Sequence, residues 1–337
     1  MTDETKPLYY NHDCLYFPED GLCPHQLFCD GCPSYAPVGS RVLIIKLGPA
    51  GGLLQATAAL PKLKARTPRS FLGWLTLEEH RDLLLGNPYL NRVYTLEEQA
   101  LPALRSQEFD VTYCLDTDIK ATSIASLLKT GKIVWGPEQA VTGEGSRPGP
   151  AEKSHQQAIF ESLGLTFDQD EYVFHLTEEE LDWGEGFGHA AEKGRPVLGL
   201  CLDCRGWSQE HYRSLAQFAE KRLGHSVVLF GDKNAAAGVG PWPAVDIFSG
   251  LSQKKLAVLL NRCAAVVSGE GPLLHLAIAL KKLTVTVMGA GDRGAFETYG
   301  RGVKMAAPAA TVFPAATVFR ELDSLTKRHA RGTRAAA

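Results

Sequence analysis

The stretch Val266-Val267-Ser268-Gly269-Glu270-Gly271-Pro272-Leu273-Leu274-His275-Leu276-Ala277 decides the fold class of this chain. Its apolar run closes on small residues. Pro272 then suits the first turn of a helix, where a missing N–H leaves no hydrogen bond unmade. A buried strand that passes through a tight turn into a helix is the repeating unit of a parallel sheet. The helix start offers unpaired backbone N–H groups and the positive end of the helix dipole. That makes Glu270, Gly271, Pro272, Leu274 and His275 candidates for lining a phosphate site. An ordinary strand-to-helix turn, with His275 satisfying a core hydrogen bond, accounts for the same residues without a ligand.

The pattern repeats outward from this stretch. Strands are predicted at Val197–Cys201, Ser226–Phe230, Ala264–Ser268 and Thr284–Met288, with helices at Glu210–Leu223, Gln253–Asn261 and Pro272–Leu280. A first set opens with strand Val42–Leu47, the turn Gly48-Pro49-Ala50-Gly51-Gly52 and a helix over Leu53–Arg66. Strands near Ser70–Leu75, Val93–Tyr94, Val111–Leu115 and Lys132–Trp135 follow, with helices at Glu78–Leu85 and Ile119–Leu128. Further helices are predicted at His155–Leu163, Thr177–Trp183 and Val318–His329. The expected class is α/β: two doubly wound Rossmann-like domains facing a cleft, with ligands at the carboxyl ends of the strands, plus a small N-terminal cysteine knuckle.

The expected boundaries are a cysteine-rich arm over 1–39, an N-terminal α/β domain over 40–192, a C-terminal α/β domain over 193–310, and a C-terminal helix and tail over 311–337. Lys193-Gly194-Arg195-Pro196 is the candidate hinge. Pro137–Ala151, rich in Gly, Pro and Glu, reads as a lid or as disorder, and Arg331–Ala337 as a frayed tail.

Composition narrows the function classes. A net charge of −3 over 337 residues gives no broad electrostatic reason to bind nucleic acid. No stretch approaches the roughly 18 apolar residues of a membrane span, and Met1–Tyr10 has no apolar leader core. A cytoplasmic protein is expected, with at most peripheral membrane association. Gly48-x-x-Gly51-Gly52 is not a dinucleotide fingerprint, and no Walker-type Gly-Lys-Ser/Thr occurs.

Four of the eight cysteines, Cys14, Cys23, Cys29 and Cys32, fall within the arm at spacing C-x8-C-x5-C-x2-C. Four soft thiolates so close together suit a structural zinc or an iron–sulfur cluster, with His12 and His25 as spare ligands. Such a site has no open position for catalysis, so no catalytic metal is expected. Cys201-Leu202-Asp203-Cys204 is a second C-x2-C, better read as small core residues.

The chain resembles the family 9 glycosyltransferases, heptosyltransferase-like enzymes of two-domain GT-B architecture, from Arg41 to about Gly300. The family's Asn-Asp-Ser/Thr-Gly-x-Met-His-x-Ala pattern is met by Glu270, His275 and Ala277, with the glycine displaced and Glu in place of Asp. Asp203-Cys204-Arg205-Gly206-Trp207-Ser208 looks like the Lys-x-Trp-Pro stretch, with Arg205 in place of the phosphate-binding Lys. Val227–Asp232, which contains Gly231, resembles the Val-Leu-x-Gly-Gly strand and turn, and Phe248–Ser252 the Gly-x-Thr/Ser turn. Some relatives also carry a cysteine arm.

The resemblance implies transfer of a heptose-like sugar from a nucleotide-sugar donor of ADP-heptose type to a glycan or glycolipid acceptor such as a lipopolysaccharide core. Arg205, Gly231, Glu270, Gly271, Pro272, Leu274 and His275 would face the donor, and Gly48, Gly51 and Gly52 the acceptor. The family's catalytic Asp falls at Gly52. Asp116 and Asp118 are the substitute bases in reach of a strand end, with a strand-end cap or a solvated loop as their plainer roles. The alternative is a catalytically degenerate relative acting as a binding or assembly subunit.

Overall fold

The computed structural model describes residues 13–16, 23, 25, 29, 31–96, 100–137, 153–185, 194–231, 234–235, 246–289, 292, 294–306 and 312–336. Most of Pro137–Ala151, all of the hinge candidate before Gly194, and His12 lie outside them. The chain divides into two compact units. The first takes in Met1–Leu47, Ala59–Arg81 and Asn87–Gln139; the second Gly48–Ala58, Asp82–Gly86 and Ala140–Ala337.

Unit 1 is built on a five-stranded parallel sheet of β1 (Ser40–Ile45), β2 (Ser70–Thr76), β3 (Arg92–Thr95), β4 (Glu108–Cys114) and β5 (Lys129–Trp135), in the order β3-β2-β1-β4-β5. Central β1 is covered on both faces, so it reads as a continuous apolar run rather than an alternation. Leu43 and Ile45 pack with Leu75, Leu104, Phe109 and Ala121 in one core.

The helices of the first half are α1 (Ala50–Thr57), α2 (Leu60–Arg66), α3 (Arg81–Leu84), α4 (Ala100–Ser106) and α5 (Ile119–Leu127). The single helix expected over Leu53–Arg66 is broken between α1 and α2. Pro61 lacks the N–H that would reach the Thr57 carbonyl, and its ring crowds that position. The Thr57 hydroxyl donates to Leu54 O (2.6 Å) and accepts from Val173 N (3.0 Å).

Unit 2 carries α6 (His155–Ser162), α7 (Glu178–Glu185), β6 (Val197–Cys201), α8 (Gln209–Phe218), β7 (Ser226–Phe230), β8 (Asp246–Phe248), α9 (Gln253–Asn261), β9 (Ala265–Ser268), α10 (Pro272–Ala279), β10 (Leu283–Met288), β11 (Gly302–Ala306) and α11 (Ala315–Ala336). The six strands are parallel in the order β11-β10-β9-β6-β7-β8. The chain runs from β6 outward to β8, then returns to β9 on the other side of β6. The point where the order reverses lies between β6 and β9, where open α/β sheets leave a crevice at the strand ends.

Two differences from the sequence reading have local causes. Helices α6 and α7 group with unit 2, although the expected boundary fell at residue 193. His155 N donates to Ala295 O at 2.9 Å, and the buried Gln156 side chain donates to Tyr299 and to Asp170 O. The tail expected to fray over Arg331–Ala337 is helical to Ala336, in keeping with its alanines and arginines, which are strong helix formers. Strands β8 and β11 and helix α4 were not anticipated.

Candidate functional site

In unit 2 the carboxyl ends of β6 and β9 are tied together by Asp203. This residue follows β6, and its carboxylate accepts from Gly269 N at 2.7 Å and from Ser268 Oγ at 3.2 Å, both at the end of β9. Burial is the main cause holding its pKa above the ordinary aspartate value. Gly271 has no room for a side chain, because a β-carbon there would stand 2.9 Å from Asp203 Oδ2.

Above Asp203 the start of α10 is open. Gly271 is the N-cap in extended conformation, Pro272 has no N–H to offer, and His275 N is already bonded to Gly271 O at 3.4 Å. The N–H groups of Leu273 and Leu274 therefore stand in the first turn without an intrahelical acceptor. Leu274 and His275 side chains turn into the core. Leu274 can take part only through its backbone.

Arg205 borders this opening from β6. Its guanidinium is exposed and lies 3.5 Å from Asp292, which in turn accepts from Gly289 N at 2.8 Å. The Arg205 stem lies against Gly289, where a β-carbon would come within 2.8 Å of it. Glu270 accepts from Gly294 N at 3.0 Å. Burial raises its pKa, aided by Asp292 and opposed by Lys304 and Arg205. Lys304 donates to the carbonyls of Gly294 and Phe296 and sits 4.4 Å over the Phe296 ring. Gly231, at the carboxyl end of β7, packs against Leu202 and Ala235.

His275 faces α1. Its ring lies 3.0 Å from the Tyr172 hydroxyl, 3.4 Å from Gln55 Nε2, and edge-on to Phe296. Burial, with a smaller contribution from His155, lowers its pKa to about 4, so the imidazole is neutral at physiological pH. Its Cδ2 fills the place of a Gly51 side chain. Gly51 and Gly52 lie in the first turn of α1, and Gly48 is the bend that precedes it. None of the three carries a carboxylate.

Asp116 and Asp118 follow β4 in unit 1. Asp116 is buried, forms an ion pair with the equally buried Lys46, and accepts from Leu47 N at 2.5 Å. Its position mirrors that of Asp203, because Lys46 and Asp116 follow β1 and β4, between which this sheet reverses order. Asp118 is the N-cap of α5, accepting from Lys120 N and Ala121 N. Both carboxylates are committed to holding backbone. Cys14, Cys23, Cys29 and Cys32 line one small pocket in the arm, whereas Cys201 and Cys204 are buried with thiols pushed well above the usual range.

Three residues of the unit 2 site, Asp203, Gly289 and Asp292, were not singled out from sequence. Asp203 was quoted only within the Cys201–Cys204 pair and at the head of the Asp203–Ser208 stretch, without a role of its own. The glycine-rich turn after strand β10, Gly289-Ala290-Gly291-Asp292, was the available signal for the other two.

Comparison with known proteins agrees with this layout. Residues 100–314 match glycosyltransferase family 9 (heptosyltransferase). A family 9 glycosyl transferase from Veillonella parvula has a TM-score of 0.68 at 14% identity, over 85% of this chain and 97% of that one. The E. coli ADP-heptose LPS heptosyltransferase II scores 0.68 at 17% identity, over 86% and 99%. E. coli heptosyltransferase WaaC, solved with ADP, scores 0.64 at 18% identity, over 85% and 98%. These structures share the α/β fold of parallel sheets that GT-B glycosyltransferases adopt. No curated protein sequence matches the chain. With its family motif region on an open helix start at a sheet reversal, and a match over most of its length, the chain belongs to glycosyltransferase family 9, the heptosyltransferases.

Proposed function

We propose that this chain transfers a heptose-like sugar from an ADP-sugar to a hydroxyl of a glycan acceptor of lipopolysaccharide-core type, working in the cytoplasm. The observation that carries the reading is the exposed Arg205 guanidinium beside the open start of α10. Support comes also from the family and from the ligand named with the E. coli relative, ADP. Among the described residues no helix is long and apolar enough to cross a membrane, so contact with a lipid-borne acceptor would be peripheral.

In this reading the Leu273 and Leu274 N–H groups and the guanidinium hold the diphosphate. A guanidinium grips two oxygens at once, and fixed dipoles stabilise the charge that grows on the diphosphate as the sugar leaves. Asp203 orients the turn from below by holding Gly269. His275 serves through packing: it fixes α1 against α10 and keeps the helix start rigid. Gly52 supplies no base, so the rate rests on leaving-group stabilisation rather than on a carboxylate in that turn.

The test pairs calorimetry of ADP binding with ADP release from ADP-heptose in the presence of a lipopolysaccharide-core acceptor. Acceptor-dependent ADP release supports transfer. Binding without turnover supports the degenerate, assembly-subunit reading instead.

A further inference from the structure

Four cysteines of the arm line one pocket. Cys14 lies on a short antiparallel bridge to Pro37, flanked by Leu15 N to Ala36 O (2.8 Å) and Val38 N to Asp13 O (2.7 Å). Cys29 and Cys32 belong to a tight turn in which Cys32 N donates to Cys29 O at 3.3 Å and Tyr35 N to Cys32 O at 3.2 Å. Together with Cys23 they line a pocket whose other walls are Tyr16, His25, Ser34 and Tyr35. Tyr16 meets His25 edge-on at 4.9 Å, and the Tyr35 hydroxyl donates to Asp13 at 2.6 Å.

We propose that Cys14, Cys23, Cys29 and Cys32 hold one tetrahedral zinc-type ion that stabilises the arm and takes no part in sugar transfer. Four cysteines lining one pocket, with no carboxylate among its described lining residues, is the donor set a soft divalent cation takes. A single ion held by four thiolates is the arrangement of a closed structural zinc site. Among the described residues no three such side chains already stand in ligating geometry. Closing that last distance is what the ion supplies once the thiols give up their protons. The arm also needs such an anchor: few of its described residues are buried, and a segment this small cannot build its own core.

The proposal is independent of the donor site and is tested on the full chain. Elemental analysis of protein purified without chelator should give one zinc per chain. A strong chelator should release it and expose four thiols to a colorimetric thiol reagent under native conditions. Cobalt(II) should re-protect them and produce intense thiolate-to-metal charge-transfer absorption. Cys29→Ser and Cys32→Ser should lose the metal, while the unit 2 cysteine variant Cys263→Ala keeps it. Substoichiometric metal with four reactive thiols in the untreated protein would overturn the proposal, as would iron with acid-labile sulfide, or zinc retained when all four cysteines are serine.

Discussion

The His275 imidazole occupies the volume that a side chain on Gly51 would need, and so α1 and α10 approach each other more closely than any other residue at 51 allows. The two lie far apart in sequence, but both belong to unit 2. Gly51→Ala should therefore cost about 1–3 kcal/mol by overpacking. Urea denaturation of the full chain checks this, and the same substitution in a His275→Ala background should cost far less, because the clashing ring is gone.

Stability should also report the neutrality of His275. Its pKa is lowered to about 4 from an ordinary 6.5 by burial. The unfolded chain takes up a proton near 6.5 and the folded chain does not until about 4, so this contribution is complete above 6.5 and lost progressively as pH falls towards 4. Between pH 6.5 and 5 the loss should be about 1.5 kcal/mol. Comparing wild type with His275→Gln isolates it: identical pH slopes would show that the imidazole is not buried uncharged.

Removing one partner of the Lys46–Asp116 pair should leave an uncompensated charge in a dry site. Asp116→Asn should cost about 3–5 kcal/mol, with part of the loss recovered in the double variant with Lys46→Met. Turnover per folded molecule should stay within a few fold, whereas loss of a general base removes about 10² to 10⁴.

Arg205→Ala should weaken ADP binding by about 1.5–3 kcal/mol, roughly 10- to 150-fold. Arg205→Lys should recover only part of this, since an ammonium cannot grip two oxygens in one plane. An unchanged affinity in calorimetry would remove Arg205 from the donor site.

Much of the fold was legible because both sheets are parallel and covered on both faces, so strands such as Val197–Cys201 and Ser226–Phe230 stand out as short apolar runs. Strand β11 was not, because Gly302 and Lys304 interrupt a half-exposed edge. The open start of α10 could be read from Pro272 and its glycines, a local signal. The direction of His275 could not: it depends on Gly51 and Tyr172, which only the fold brings near. Asp116 and Asp118 were legible as strand-end acids, but only their partners reveal that one is ion-paired and the other caps α5.

The most direct test is a crystal structure of the full chain with ADP at saturating concentration. The diphosphate should accept hydrogen bonds from the Leu273 and Leu274 N–H groups at the start of α10 and lie against the Arg205 guanidinium. ADP bound elsewhere, with that helix start bare, would contradict the assignment of the donor site.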